Sequence, residues 1–439
     1  PLVFVALVFS GFAFLGQYMP DLIAHRGTSV NRFVDHMWLT TEGVFGLPLG
    51  VSNAFIFLFV LFGGLLDKAG AGNFFIKLSF ALLGHLRGGP AKAAVVSSAL
   101  TGLISGSAIA NVVTTGTFTI PLMKRIGFTA EKAAAIEVSS SINGQIMPPV
   151  MGAAAFLMTE FVGISYAEVV THAFVPAVLS YVGLFYIVHL EAMKENMPVL
   201  EKLNKSPPLR RIFNAVASVA SILTLSMAAY VIIKGVTVLF GGAGIIVLVL
   251  LMGTLYAALL FVASRQEDLE IDDPNAPLVS VPDALPILWS GLHYIIPIGV
   301  LVWCLMVERF SPGLAVFWAI VTMAIVILTQ KPLIALMRGQ KVDRHLLLIG
   351  VNNLFLGLIA GSRNMVAVAV AMAAAGIIVG VVSLTGVGLL MSGLIDALSG
   401  GNVVIMLLIT ALMCIILGMG LPTTANYIVV ASIMAQPLV

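Results

Sequence analysis

Charged residues are scarce in this sequence. Only 10% of the 439 residues are Asp, Glu, Lys or Arg, whereas 60% are hydrophobic and the mean hydropathy is +1.09. This composition excludes a water-soluble protein, because the chain has too little polar surface to cover it. Cysteine is also rare: Cys304 and Cys414 lie inside apolar runs and indicate no disulfide framework. The net charge of +2 does not indicate a nucleic-acid partner.

Several catalytic motifs are absent as well. The sequence has neither a Walker A motif nor a Gly-x-Ser-x-Gly motif, so nothing in it favours ATP-driven transport. The seven histidines show no metal-ligand spacing, and Glu168 with His172 lacks the second histidine of a zinc-protease helix. We therefore expect neither an enzyme nor a bound cofactor.

Long apolar runs recur along the whole chain. A bilayer-spanning helix needs about 20 mostly apolar residues, so these runs predict an all-α polytopic membrane protein. Because residues 2–19 are apolar from the start and no charged segment precedes them, we expect a transmembrane helix of a truncated chain there, not a signal peptide. The predicted spans are residues 2–19, 46–66, 168–189, 213–233, 239–263, 285–306 and 313–329.

Lysine and arginine are concentrated in residues 87–92, 124–132, 194–211 and 331–344. The positive-inside rule places these loops in the cytoplasm. About 30 residues separate the first two clusters, and both ends of this segment are basic. Because both ends are therefore expected on the cytoplasmic side, a re-entrant hairpin fits the segment better than a single crossing of the membrane. No Lys or Arg follows Arg363, so the later loops are expected to face outward and a second hairpin to enter from that side. This pattern predicts an inverted-repeat ion-transporter architecture with two re-entrant hairpins and broken helices.

The first polar interruption lies within residues 105–121. Irregular backbone at membrane depth is tolerated where it lines a cavity, so the interruption indicates a binding site. Its oxygens suit a hard cation such as Na⁺, and the N-terminal ends of half-helices favour an anionic group. Hydrogen bonds from the hydroxyls to their own i−4 carbonyls are the alternative explanation. The candidate residues are Ser105, Gly106, Ser107, Asn111, Thr114 and Thr115.

Two further segments resemble the first. Adjacent Pro148 and Pro149 remove two helix donors and force Met147 out of the helical region, so this helix is predicted to open near the membrane midplane. Near the C-terminus, Asn426 repeats the small-residue context of Asn111; chance similarity between helix-packing patches is the alternative. The candidates in these segments are Gln145, Pro148, Pro149, Gly420, Thr423, Thr424 and Asn426. The expected Na⁺ ligands are Ser107, Asn111, Thr424 and Asn426.

Four charged residues lie near apolar runs, namely Glu137, Glu160, Arg363 and Asp396. Charged groups at membrane depth are functional candidates. Glu137 and Glu160 are expected at the ends of the Pro-broken helix, and Arg363 precedes the apolar run over residues 365–383. Most of the four are expected to be interfacial, snorkelling or capping residues. Because the hairpin turns offer neutral oxygens and no carboxylate, Na⁺ is the expected coupling ion; H⁺ carried by Glu137 or Glu160 is the alternative.

The segments around these candidates resemble the large membrane subunit of tripartite ATP-independent periplasmic (TRAP) transporters. The similar segments are residues 88–92, 105–127, 144–152 and 417–427. Residues 39–50 look like the fused four-plus-twelve-helix permeases of the TAXI branch. The resemblance implies a secondary active importer of organic anions, usually carboxylates, in the bacterial inner membrane. It also implies a periplasmic substrate-binding protein as partner, small-subunit helices fused upstream, and an elevator-like movement of a transport domain against a scaffold.

The resemblance and the loop charges divide the chain into four parts, two of which are inverted repeats. The first part (1–42) is the last small-subunit-like helix with a connecting arm, and the third part (213–284) consists of linking helices with a cytoplasmic acidic linker. The first repeat (43–212) contains a hairpin at 88–125 and a broken helix at 133–161. The second repeat (285–439) contains a hairpin at 402–437. The second repeat is expected to be C-terminally incomplete, because the second Pro-Pro broken helix of the family is missing from it.

Two other functions are compatible with these residues. A carboxylate carrier or antiporter with the same hairpin architecture would work without a binding protein. An intramembrane hydrolase would need a base within reach of Ser105 or Ser107, and their segment contains neither His nor Lys.

Overall fold

The computed structural model describes residues 2–21, 23–106, 108–197, 199, 244–268, 281–418 and 423–438, with scattered positions between 224 and 239. This part of the chain is built from α-helices, as the apolar runs predict. Six of the described helices are long and apolar enough to cross a membrane, which confirms the predicted multi-pass class. They are Leu47–Ala69, Tyr166–Lys194, Ile246–Ser264, Ala284–Met306, Pro312–Met337 and Arg344–Thr385.

Side-chain caps fix several helix starts in the first half of the chain. The hydroxyls of Ser29, Thr129 and Ser165 each accept a hydrogen bond from the backbone N–H three residues later, and Ser165 forms a full capping box with Glu168. The helices are α1 (Leu2–Leu15), α2 (Val30–Leu39), α3 (Leu47–Val51), α4 (Phe57–Ala69), α5 (Ala71–Leu83), α6 (Gly89–Ser105), α7 (Ala108–Arg125), α8 (Ala130–Asn143), α9 (Ala153–Val162) and α10 (Tyr166–Lys194).

The second half continues with apolar helices of very different lengths. The helices are α11 (Gly244–Ser264), α12 (Ala284–Gly291), α13 (Ile295–Met306), α14 (Pro312–Met337), α15 (Arg344–Thr385), α16 (Val387–Ser399), α17 (Val403–Gly418) and α18 (Thr423–Leu438). The predicted span at 2–19 forms the shorter apolar helix Leu2–Tyr18. Most of the predicted span at 213–233 and most of the linker before residue 281 lie outside the described residues.

Helix α15 contains the predicted apolar run at 365–383 and extends far before it. It is unbroken over its 42 residues, and Arg363 lies exposed near its middle. The helix continues because the segment contains no proline, and one exposed arginine does not interrupt the backbone hydrogen bonds. At 1.5 Å per residue the helix is about 63 Å long, roughly twice the 30 Å thickness of a bilayer's hydrocarbon core.

Glycines let α15 approach its neighbours closely. A Cβ atom on Gly361 would lie 2.7 Å from the Cα atom of Leu61 in α4, and one on Gly64 would lie 2.8 Å from the backbone nitrogen of Gly361. Further along, a Cβ atom on Gly380 would lie 2.8 Å from the carbonyl oxygen of Glu42. Small residues permit such contacts between membrane helices. We call α4, α15 and the segment around Glu42 the frame.

The chain opens between α8 and α9, over residues 144–152, which we call the break. A short 3₁₀ turn is followed by six residues without regular helix. Met147, which precedes Pro148, has φ −83° and ψ 115°, the extended conformation predicted for it. The hydroxyl of Tyr166 lies within hydrogen-bond distance of two carbonyl oxygens of the break, those of Val150 and, at 3.0 Å, Pro149, and donates its single proton to one of them. A side chain thus partners carbonyls that have no helical donor.

Candidate functional site

Helices α6 and α7 form the first hairpin, which turns at Gly106. Gly106 has a φ of 59°, a left-handed conformation that glycine adopts without strain. A Cβ atom on Gly106 would lie 2.8 Å from the carbonyl oxygen of Met151, and one on Gly102 would lie 2.6 Å from the Cα atom of Gly144. The turn of the first hairpin therefore packs directly against the break.

Asn111 ties the two helices of this hairpin together. It is buried in α7, where its Oδ1 accepts a hydrogen bond from Thr101 Oγ1 at 2.5 Å and its Nδ2 donates to the Ser98 carbonyl oxygen at 2.9 Å. Ser105 is the last residue of α6, and Ser107, predicted as a Na⁺ ligand, lies outside the described residues. The polar groups of Asn111 are therefore already engaged inside the hairpin.

Glu137 corrects the sequence analysis most strongly. It lies within α8 and not at a helix end, and it is fully buried, not interfacial. Its Oε1 is hydrogen-bonded to Ser98 Oγ at 2.9 Å and to the Thr115 hydroxyl, with Ser141 Oγ at 3.4 Å, and its Oε2 lies 2.5 Å from Thr119 Oγ1. The turn of the first hairpin itself contains no carboxylate, whereas Glu137 reaches the hairpin from the neighbouring helix α8.

The hydroxyls of α7 also bond to their own helix, as the alternative explanation requires. Thr115 Oγ1 lies 2.8 Å from the Asn111 carbonyl oxygen, Thr119 Oγ1 lies 3.0 Å from the Thr115 carbonyl oxygen, and Thr117 Oγ1 lies 3.1 Å from the Thr114 carbonyl oxygen. Thr115 and Thr119 reach Glu137 in addition. The hydroxyls therefore both satisfy the helix and line a polar cluster.

Three residues of the cluster, Ser98, Thr101 and Ser141, were not predicted from the sequence. A signal was present for one of them, because Ser141 follows Glu137 by four residues and so shares its helix face. The other three charged candidates, Glu160, Arg363 and Asp396, are all exposed.

Helices α17 and α18 form the second hairpin. Asn426 Nδ2 donates to the Cys414 carbonyl oxygen at 3.2 Å, while its Oδ1 is buried without a hydrogen-bond partner. Like Asn111 in α7, Asn426 is the fourth residue of the second helix of its hairpin, and both amides donate across the hairpin to the first helix. Thr424 is half-buried beside it, and Gly420 lies outside the described residues.

The second hairpin meets the first half of the chain at the break. The Thr423 hydroxyl donates to Gln145 Oε1, and α18 packs against α9. On the other side of the break, a Cβ atom on Gly152 would lie 3.2 Å from the carbonyl oxygen of Gly106. Helix α7 starts just after Gly106, helix α9 starts just after Gly152, and helix α18 starts at Thr423. Three helix N-termini therefore converge on the break.

A cavity of about 70 Å³ lies between the first hairpin and the frame. Thr101, Asn111 and Thr114 line it from the hairpin, and Asp67 of α4 and Asn364 of α15 line it from the frame. Because one water molecule needs at least about 10–15 Å³ of such space, the cavity has room for more than one. Asp67 and Asn364 were not predicted as site residues, since only the packing of α4 and α15 brings them to the same cavity as Asn111.

Basic residues collect at the end of the first hairpin away from its turn. Lys92 Nζ lies 2.9 Å from His189 Nδ1, and Lys132 donates to Glu195 at 2.7 Å and to Glu191. Apolar side chains from the ends of α6, α7, α8 and α10 pack together there. The basic segments before α6 and after α7 therefore lie at the same end of the structure as the last turn of α10.

The chain is similar to proteins of known sequence over limited segments. It is 30% identical over 146 residues to the uncharacterized protein YgiK of Salmonella typhimurium, covering 33% of each chain. It is 34% identical over 91 residues to the C4-dicarboxylate TRAP transporter large permease protein DctM of Rhodobacter capsulatus, covering 21% of each. The aligned part thus spans a third or less of these relatives. The structure of the Alcanivorax borkumensis YdaH transporter gives a TM-score of 0.45 at 15% identity, over 100% of this chain and 82% of that one.

A family match covers the chain from end to end. The family described as "Tripartite ATP-independent periplasmic transporter, DctM component" matches residues 1–255 and 224–439, and these segments include both hairpins and the break. The predicted resemblance to the large membrane subunit of TRAP transporters is confirmed. The chain therefore belongs to the DctM component family of the tripartite ATP-independent periplasmic transporters.

Proposed function

We propose that this chain is the permease of a secondary active importer of organic anions, mainly carboxylates, driven by an ion gradient. The observation that carries the proposal is the convergence of the N-termini of α7, α9 and α18 on the break. Each helix N-terminus has unpaired N–H groups and a partial positive charge of roughly +0.5, so an anionic group is favoured there. Secondary transporters bind substrates at interrupted helices of this type.

Two hairpins from opposite membrane sides would form the substrate site. In favour of this inverted repeat, Asn111 and Asn426 occupy the same position in their hairpins and make the same cross-hairpin hydrogen bond. The basic ends of the first hairpin lie together, as expected of a hairpin that enters and leaves on one side. Gln145 and Thr423 supply neutral polar groups where the two hairpins meet the break.

The carboxylate class is supported by the names of related permeases. Relatives from Rhodobacter capsulatus, Escherichia coli and Halomonas elongata are named as permeases for C4-dicarboxylates, 2,3-diketo-L-gulonate and ectoine. All three compounds carry a carboxylate. By family analogy, a periplasmic substrate-binding protein would deliver the anion to this permease in the bacterial inner membrane.

An elevator movement fits the way the helices pack. The frame is closely packed through Gly64, Gly361 and Gly380, whereas a cavity lies between it and the first hairpin. A hairpin unit moving against the frame would change that cavity and leave the tight contacts within the frame intact. In favour of a TAXI-type permease with small-subunit helices fused upstream, α1 packs along α15.

Uptake of labelled anions into proteoliposomes, supplied with the binding protein, tests this function. We expect gradient-dependent uptake of succinate, 2,3-diketo-L-gulonate or ectoine. Asn111→Ala and Asn426→Ala are each expected to lower it about 10-fold, a loss of roughly 1.4 kcal/mol. Asn352→Ala, on an exposed face of α15, is the matched control and should retain uptake. Unchanged uptake in both hairpin variants would contradict the assignment of the site.

A further inference from the structure

Tyr166 is the first residue of α10 and is buried against the break. Its hydroxyl lies within hydrogen-bond distance of the carbonyl oxygens of Val150 and, at 3.0 Å, Pro149. We propose that Tyr166 is a positioning residue of the anion site, because it keeps these two carbonyl groups directed away from the bound anion. This inference rests on the proposed function and gives a role to a residue outside both hairpins.

An interrupted helix presents two kinds of backbone group with opposite partial charges. The last carbonyl groups of α8 are partly negative and repel an anion, whereas the first N–H groups of α9 are partly positive and attract it. Only the break, residues 144–152, separates these two helix ends. The break therefore favours an anion only if its carbonyl groups find donors elsewhere.

The break has few donors of its own. The N–H of Gly152 donates to the carbonyl oxygen of Gln145 at 2.6 Å. Pro148 and Pro149 cannot donate in this way, because proline has no N–H group. A buried carbonyl group needs a donor, and one without a donor inside the break would compete with the anion for the N–H groups of α9. The hydroxyl of Tyr166 supplies a donor from a different helix.

The break contacts the apolar core with its middle and the hairpins with its ends. Val150 is fully buried in the same apolar cluster as Tyr166. Gln145, near the start of the break, contacts the second hairpin, and Gly152, at its end, meets the turn of the first hairpin. The carbonyl groups near Tyr166 therefore face α10, whereas the residues on either side of them face the proposed anion site.

Packing holds the ring of Tyr166 in place. The ring stacks on that of Phe156 in α9, with the ring centroids 4.8 Å apart and the planes at 4°. Phe156 also packs against Phe59 of α4, with 4.7 Å between the ring centroids. The capping box of Ser165 and Glu168 fixes the first turn of α10, on which Tyr166 lies. The hydroxyl is therefore held at a fixed position beside the break.

Tyr166→Phe removes the hydroxyl and keeps the stacked ring. We measure proteoliposome uptake of the anion that the wild-type protein carries, among succinate, 2,3-diketo-L-gulonate and ectoine. We expect KM to rise at least about 5-fold with little change in kcat, because binding of the anion is weakened.

Tyr294→Phe is the matched control. The hydroxyl of Tyr294 donates to the carbonyl oxygen of Ala69 at 2.9 Å, at the junction of α4 and α5. This variant loses a hydrogen bond of the same kind away from the break, so it should retain the wild-type KM. An unchanged KM in Tyr166→Phe, or an equal rise in both variants, would overturn the proposal.

Two synthetic side chains test the donor separately from the shape of the ring. In place of Tyr166, 4-aminophenylalanine keeps a donor at the end of the ring, and 4-methylphenylalanine fills the same space without one. We expect the amine to keep KM within about 2-fold of wild type and the methyl group to raise it at least about 5-fold. This comparison decides the question even if Tyr166→Phe does not fold. Equal KM values for the two side chains would contradict the positioning role.

The electrostatic potential at the break can be measured without a substrate. Thr423 is exposed where α18 meets the break, and Thr423→Cys places a thiol there in a protein that also carries Cys304→Ala and Cys414→Ala. An anionic and a cationic methanethiosulfonate reagent react with the same thiolate, so the ratio of their rates reports the local potential. We expect Tyr166→Phe to lower the ratio of anionic to cationic rate at least about 3-fold and Tyr294→Phe to leave it unchanged.

The outcomes separate the two proposals. A Tyr166→Phe protein with the wild-type KM and the wild-type ratio of labelling rates would overturn the positioning role and leave the importer function standing. A wild-type protein that carries none of the three anions would instead contradict the proposed function. The ratio of labelling rates would still decide whether Tyr166 keeps the break favourable to an anion.

Discussion

The contact between α4 and α15 gives a quantitative prediction. In Gly361→Ala the new Cβ atom would meet the Cα atom of Leu61 at 2.7 Å, and backbone of a packed helix cannot move aside as a flexible side chain can. Overpacking of this kind costs about 1–3 kcal/mol. Replacing a glycine inside a helix by alanine also gains roughly 0.5–1 kcal/mol, so the variant alone measures a difference of two effects.

A matched variant removes that ambiguity. Gly253 lies exposed within α11, and no atom lies within 4 Å of the position that an alanine methyl group would take, so Gly253→Ala gains the same helix propensity without a collision. The difference between the two variants therefore isolates the close contact. We expect Gly361→Ala to unfold more easily than Gly253→Ala by about 1–3 kcal/mol, measured by SDS titration in mixed micelles. Equal stabilities would refute the close α4–α15 contact.

Two further predictions concern the break. The hydrogen bond between Gln145 and Thr423 should give a coupling energy of about 0.5–3 kcal/mol in a double-mutant cycle with alanine at each position, and additive effects would mean that the hairpins do not meet there. Tyr166→Phe should destabilise the protein by about 1–3 kcal/mol, because buried carbonyls of the break lose their donor. Tyr18→Phe, at an exposed position, is its control in thermal unfolding and should have little effect.

Local chemistry explains why some features were predictable. The length and composition of the apolar runs determine that the chain forms membrane-crossing helices, because about 20 apolar residues satisfy both the backbone and the lipid. The opening at Pro148 follows from the missing donors of two adjacent prolines and the restricted conformation of Met147. The turn at Gly106 needs a positive φ, which glycine adopts without strain.

The environment of Glu137 was decided by the tertiary structure. Its partners Ser98, Thr115 and Thr119 come from two other helices, so no window of sequence around Glu137 contains them. An acidic residue near a helix end and one beneath two packed helices give the same local pattern. The packing of α6 and α7 alone distinguishes them.

The same reason applies to the frame and to the meeting of the hairpins. Arg363 lies within one unbroken helix, because backbone hydrogen bonding does not depend on one exposed side chain. Gln145 and Thr423 lie 278 residues apart in the sequence and meet only after the helices pack. The sequence determined by itself which segments are long and apolar enough to cross a membrane and where the Pro-Pro pair opens a helix, since those properties depend on neighbours along the chain. The tertiary structure decided which broken ends meet and that Glu137 is buried beneath α6 and α7, since those properties depend on neighbours in space.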